Sequence, residues 1–88
     1  MCDFLNSLRK GKIQLGVCVM YPSPGAVERI APDWDWVWID GQHGQMGYQD
    51  TLALVRACNL VDRPAFVRVP WLEAGHIGLA LDMDAAGI

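Results

Sequence analysis

Charge is scarce in this chain. Only 19 % of its 88 residues are Asp, Glu, Lys or Arg, while 52 % are apolar. A small domain has a large surface for its volume and needs polar cover, so this balance suits part of a larger core better than a free-standing unit. Basic residues are few as well: seven Lys and Arg are scattered along a chain of formal charge −3, which leaves no nucleic-acid footprint. No apolar run approaches the ~20 residues of a bilayer helix, so no membrane partner is expected. The opening MCDFLNSLRK carries charges and no apolar h-region, unlike a secretory signal. Cys2, Cys18 and Cys58 form no C-x-x-C pair, which argues against a disulfide framework or a cysteine-rich zinc site and favours a reducing cytoplasm. Cys18 and Cys58 lie in apolar runs and are expected as buried, inert thiols. Nine glycines and five prolines without a period exclude collagen-like repeats, and the hydrophobicity excludes disorder.

What is present has a β/α rhythm. Asp3 before Phe4, Leu5 and Leu8 predicts a short capped helix that stops at Gly11. Ile13 to Met20 reads as a strand closed by the turn residues Tyr21 to Gly25. A weak helix follows from Ala26 to Ala31, and Trp36 to Asp40 is a second strand. The spacing of Tyr48, Leu52, Val55 and Cys58 predicts a helix with those residues on its apolar face. Ala65 to Val69 is a third strand between Pro64 and Pro70, and Glu73 to Met83 a further helix. Ala85 to Ile88 begins something new. Strands a little over twenty residues apart, apolar on both faces, predict an α/β fold with a parallel sheet covered by helices. No linker or charge run divides the chain, so one domain is expected.

Polar residues interrupt this pattern at one end of the strands. Ligands of parallel α/β folds bind at the carboxyl ends of strands, and Asp40, Gln42, His43 and Arg68 fall there. His43 is either a general base or a loop histidine that merely hydrogen-bonds. Asp40 either fixes the imidazole or caps the helix that follows. Arg68, inside an apolar strand, needs a carboxylate from the protein or from an anionic ligand. Trp71, just past the third strand, is a candidate pocket wall. Gly41, Gly44 and Gly47 are spaced G-x-x-G-x-x-G and lack a following Gly-Lys-Ser/Thr, which disfavours a phosphate loop. Glu73 and His76 form a single E-x-x-H, where paired metal sites need two, so a solvated helix face is the simpler reading. Trp34, Trp36 and Trp38 alternate along a strand, as packing residues do.

The segments WVWIDGQHG and FVRVPW, in this order and separation, resemble those of the HpcH/HpaI aldolase family. LGVCVMYPSP is similar to that family's first strand, and ALDMDAAGI to its run into the fourth. The resemblance covers nearly the whole chain. It implies that residues 1–88 are the N-terminal part of a (β/α)8 TIM barrel, three strand–helix units and the start of a fourth strand. It also implies a class II pyruvate aldolase, an aldehyde-lyase acting on a keto acid with a divalent metal, Mg2+ or Mn2+ (Co2+ or Zn2+ as alternatives), and a homo-oligomer at full length. By position, His43 matches the catalytic base, Asp40 the acid paired with it, and Arg68 the arginine that grips the keto-acid oxygens.

The departures from the family pattern are informative. Gln42 stands where the family usually has Glu, and Cys18 where its first strand often has Trp. The family's metal ligands, a Glu and an Asp, come from later strands, so no metal ligand is expected among these residues and the 88 residues alone are expected to be inactive. The alternative is a non-catalytic remnant or an α/β fragment that docks with a partner.

Overall fold

A computed structural model describes residues 3–88; Cys2 lies outside them. The elements follow the expected order. Helix α1 (Phe4–Arg9) leads to β1 (Gly16–Val19), then α2 (Pro24–Ile30) with a 3-10 turn at Ala31–Asp33. Strand β2 (Trp36–Asp40), α3 (Tyr48–Leu60), β3 (Ala65–Arg68) and α4 (Ala74–Asp82) complete the chain. The strands form one parallel sheet in the order β1-β2-β3. A fourth strand begins beside β3, where Gly87 bridges Phe66 and Ala86 N–H donates to Ala65 O at 2.7 Å. Among the described residues no helix is long and apolar enough to cross a membrane.

Alternation along the strands sorts their residues onto two faces. Val17, Val37 and Ala65 are register partners, as are Val19, Ile39 and Val67. These carry the packed core, joined by Val27 from α2 and Leu54, Val55 and Cys58 from α3. The opposite face holds Cys18 beside Trp38 beside Phe66, and then Asp40 beside Arg68. Helix α1 reaches this second face: the Phe4 ring lies 5.5 Å from Phe66, and Trp36 meets Phe66 edge-on at 5.6 Å. Gly16 is the register partner of Trp36, and any Cβ there would run into that indole.

Several local expectations give way to packing. Cys58 is buried as expected, but Cys18 is exposed, because it points to the face opposite the packed core. The first strand is confined to Gly16–Val19, with Ile13 and Leu15 exposed. On α3 the buried stripe runs through Thr51, Leu54, Val55 and Cys58, leaving Tyr48 exposed. Thr51 can turn inward because its hydroxyl donates to Gly47 O at 3.1 Å. Asp3 precedes α1 without a side-chain capping bond.

Asp84 ends α4 with φ 69°, in the left-handed region, its N–H donating to Leu81 O at 3.0 Å. This backbone favours glycine, although Asp tolerates it better than most residues. Asp84→Gly is expected to stabilise by about 0.5 kcal/mol, the strain relief being partly offset by glycine's greater freedom when unfolded. Thermal denaturation should show a rise of roughly 2–4 °C.

Candidate active site

The carboxyl ends of β2 and β3 place Asp40 and Arg68 side by side on neighbouring strands. Asp40 is only 1 % exposed and accepts four hydrogen bonds. Arg68 Nε donates to Oδ1 at 3.1 Å and Nη2 to Oδ2 at 2.6 Å, while the backbone N–H groups of Gln42 and His43 reach Oδ1 at 3.0 and 2.9 Å. The guanidinium bond holds the Asp40 carboxyl well below the usual carboxylate range against the opposing effect of burial, and the two backbone donors add to its pull. The same pairing keeps Arg68 charged by raising its pKa. The guanidinium also lies 4.9 Å from the centre of the Trp38 ring, so it is fixed on one edge and on one face. Its Nη1 has no hydrogen-bond partner among the described residues and is free to meet a ligand.

The loop after β2 is tied down by its backbone. Gly41 N–H donates to Arg68 O at 2.9 Å, Gly44 N–H to Asp40 O at 3.1 Å and Gln45 N–H to Met20 O at 2.9 Å. Gly41 and Gly44 are glycines because a Cβ at either would meet a backbone carbonyl. Gly47 precedes α3, and Asp50 Oδ2 accepts from its N–H at 3.1 Å. The three glycines therefore serve a tight loop.

His43 sits in this loop with an exposed side chain. The expected pairing of Asp40 with the His43 imidazole is not what forms. Asp40 spends its oxygens on Arg68 and on backbone N–H groups, so it anchors the His43 main chain and leaves the imidazole without a hydrogen bond among the described residues. Of the alternatives for Arg68, the structural salt bridge is present, and it leaves one guanidinium nitrogen over for an anion. Trp71 is 66 % exposed, and with Arg68 it lines an open concavity of about 680 Å³ along the uncovered sheet face. Its ring meets His76 edge-on at 6.2 Å, and His76 Nε2 lies 3.7 Å from Glu73 Oε2. Glu73 and His76 thus form a solvent-side pair. No group of three metal-ligating side chains occurs among the described residues, so the residues present do not fit a metal centre.

Two residues take other roles than the expected ones of packing indole and buried thiol. Trp38 supports the guanidinium, and Cys18 lies close enough to feel both Asp40 and Arg68. Partial burial and the Asp40 charge push the Cys18 thiol up, against the pull of Arg68. The signal for both was strand register, which follows once Trp38 and Arg68 are counted from equivalent strand starts.

A parallel β/α layer with a bidentate acid–guanidinium pair at its carboxyl rim is a segment of a (β/α)8 barrel. No family model matches the chain. It is 34 % identical over 85 residues to the 4-hydroxy-2-oxovalerate aldolase of Novosphingobium aromaticivorans, a match that covers 94 % of this chain and 32 % of the relative. Among solved structures, a HpcH/HpaI aldolase/citrate lyase family protein from Burkholderia cenocepacia superposes with a TM-score of 0.76 at 32 % identity, over 89 % of this chain and 32 % of that one. The citrate synthase SbnG superposes with a TM-score of 0.83 at 30 % identity, over 91 % of this chain and 33 % of that one. In sequence and fold the chain is similar to members of the HpcH/HpaI aldolase family, and it spans about a third of the length of the relatives it matches.

Proposed function

We propose that these residues supply the anion grip and the base of a class II, metal-dependent aldehyde-lyase that cleaves 4-hydroxy-2-oxo acids to pyruvate and an aldehyde. The observation that carries this reading is the Arg68 guanidinium, held by Asp40 through Nε and Nη2 with Nη1 unspent. Nη1 donates to the keto-acid oxygens. His43 takes the proton of the C4 hydroxyl, the C3–C4 bond breaks to release the aldehyde, and its electron pair moves onto the C2 oxygen as an enolate. Arg68 faces that developing charge, and return of the proton held by His43 to C3, through solvent, then gives pyruvate and restores the base. Asp40 is a positioning residue, since it touches the guanidinium and the His43 backbone rather than the substrate. A divalent ion would share the enolate charge when bound. The described residues offer it no ligand set, so no step here runs through it, and the 88 residues alone are expected not to turn over.

The test is binding and release measured separately. Pyruvate binding to the chain, followed by tryptophan fluorescence, should weaken about tenfold to a hundredfold in Arg68→Ala, the return of one charge-assisted contact. His43→Ala should bind within about twofold of the parent, because the base acts on the hydroxyl and not on the pyruvate half. Equal weakening in His76→Ala would reject the assignment of the grip to Arg68. Pyruvate release from a 4-hydroxy-2-oxo acid with Mg2+ or Mn2+, if shown by the 88 residues and abolished in His43→Ala, would overturn their expected inactivity.

A further inference from the structure

Parallel pairing brings four side chains to one corner of the sheet. Asp40 and Arg68 are register partners, and so are Trp38 and Phe66 two positions earlier. Side chains two apart on a strand share a face, so Trp38 is the diagonal neighbour of Arg68 across the ladder, within reach of a long side chain. The guanidinium is therefore met from straight across by the Asp40 carboxylate and from the diagonal by the Trp38 ring, whose centre lies 4.9 Å from Cζ. All of these groups belong to β2 and β3, and the contacts follow from the pairing of those two strands alone.

The two contacts restrain different motions. The bonds from Nε and Nη2 to one carboxylate fix an edge of the guanidinium, and the group can still tilt about that edge as about a hinge. Nη1 lies off the hinge, so a tilt redirects it most. An aromatic face under Cζ opposes that tilt. We infer that Trp38 is a positioning residue that aims Nη1 at the ligand, a task separate from that of Asp40, which holds the arginine in place. The inference rests on the keto-acid reading of Arg68 and adds what sets the direction of its unspent nitrogen. A lysine in place of Arg68 would keep the charge but present a point with no plane to be fixed.

The experiment separates aim from attachment on the 88-residue chain. Nitrogen relaxation of the Arg68 side-chain N–H groups reads guanidinium mobility without any ligand, and calorimetric titration reads pyruvate affinity. Trp38→Met keeps apolar bulk and removes the aromatic face. It is expected to make the guanidinium more mobile and to weaken pyruvate binding about threefold to tenfold, as loss of a cation–π contact provides. The fall of thermal stability at low pH should stay where it is in the parent, because the bonds to Asp40 remain. Trp38→Phe restores a face and should recover most of both properties. Unchanged mobility and affinity in a folded Trp38→Met would reduce Trp38 to packing and overturn the inference. A fall of stability shifted to higher pH would overturn it too, since the ring would then be holding the pair together. Arg68→Lys tests the same claim with Trp38 untouched: it should weaken pyruvate at least as much as Trp38→Met, and parent-like affinity would overturn the inference even if the Trp38 variants fail to fold. Failure of the parent chain to bind pyruvate would reject the keto-acid reading, and the relaxation measurement would then decide the role of Trp38 by itself.

Discussion

Acidification should unlock this molecule at Asp40. Its carboxyl is held far below its ordinary value of 3.8, first by the hydrogen bond from Arg68 and then by the N–H groups of His43 and Gln42. A carboxyl whose folded pKa is depressed contributes stability that is fully present above the unfolded pKa and is lost as pH falls toward the folded one. Thermal melts should therefore be flat in this contribution at neutral pH and fall below about pH 4. Asp40→Asn should lower Tm at pH 7 by roughly 5–10 °C, less than a fully buried pair would cost because Arg68 is partly exposed. It should also flatten the acid limb, since the titrating group is gone. In Arg68→Met the carboxyl remains without its main partner, so the acid limb should move to higher pH. An acid limb unchanged in both variants would show that the pair does not govern the loss.

The function of the pair explains why a variant with an intact core would still fail. Asp40 fixes the guanidinium on one side and the His43 loop on the other, so one buried carboxylate sets the position of both groups that the proposed reaction assigns to the ligand. Its loss should move the base and the anion grip together. Pyruvate affinity in Asp40→Asn should accordingly fall alongside that of Arg68→Ala, even at temperatures where the variant is folded.

How much of this was legible from the sequence depends on the link in question. The order of elements was, because apolar runs separated by Gly and Pro turns mark strands, and their spacing demands parallel crossovers. Which face of each strand is covered was not. GVCV and WVWID are apolar on both faces, so periodicity could not tell that Val19 is buried and Cys18 exposed. The site residues were found by type and by their place at strand ends, yet Asp40 was matched with His43, three positions away along the chain. The partner it takes is Arg68, twenty-eight positions away but its neighbour across the ladder. A lateral pair with a bidentate guanidinium outcompetes a loop imidazole that would have to fold back over its own turn. Local reasoning sees the turn and misses the ladder. The start of a fourth strand in Ala85 to Ile88 follows from the strand–helix order along the chain, and is seen here as the Phe66–Gly87 bridge.

A methyl group at Gly44 should do more damage than its size suggests. The Cβ of Gly44→Ala would fall on the Asp40 carbonyl oxygen and within 3.1 Å of Met20 O. Neither oxygen can step aside cheaply. Asp40 O accepts from Gly44 N–H and Met20 O accepts from Gln45 N–H, so the loop must open and give up both bonds. Overpacking together with two weakened hydrogen bonds gives about 3 kcal/mol of destabilisation, or a Tm lower by roughly 12–24 °C. The control lies in α4, where Gly78 has nothing within 4 Å of its would-be Cβ. Gly78→Ala should stabilise by about 1 kcal/mol, since alanine costs less entropy to hold in a helix. Opposite signs from the same added methyl would locate the effect in the loop's close approach and not in glycine as such. Denaturant melts of the two variants give the comparison, and a Gly44→Ala midpoint within error of the parent would mean that the His43 loop is not built on that contact.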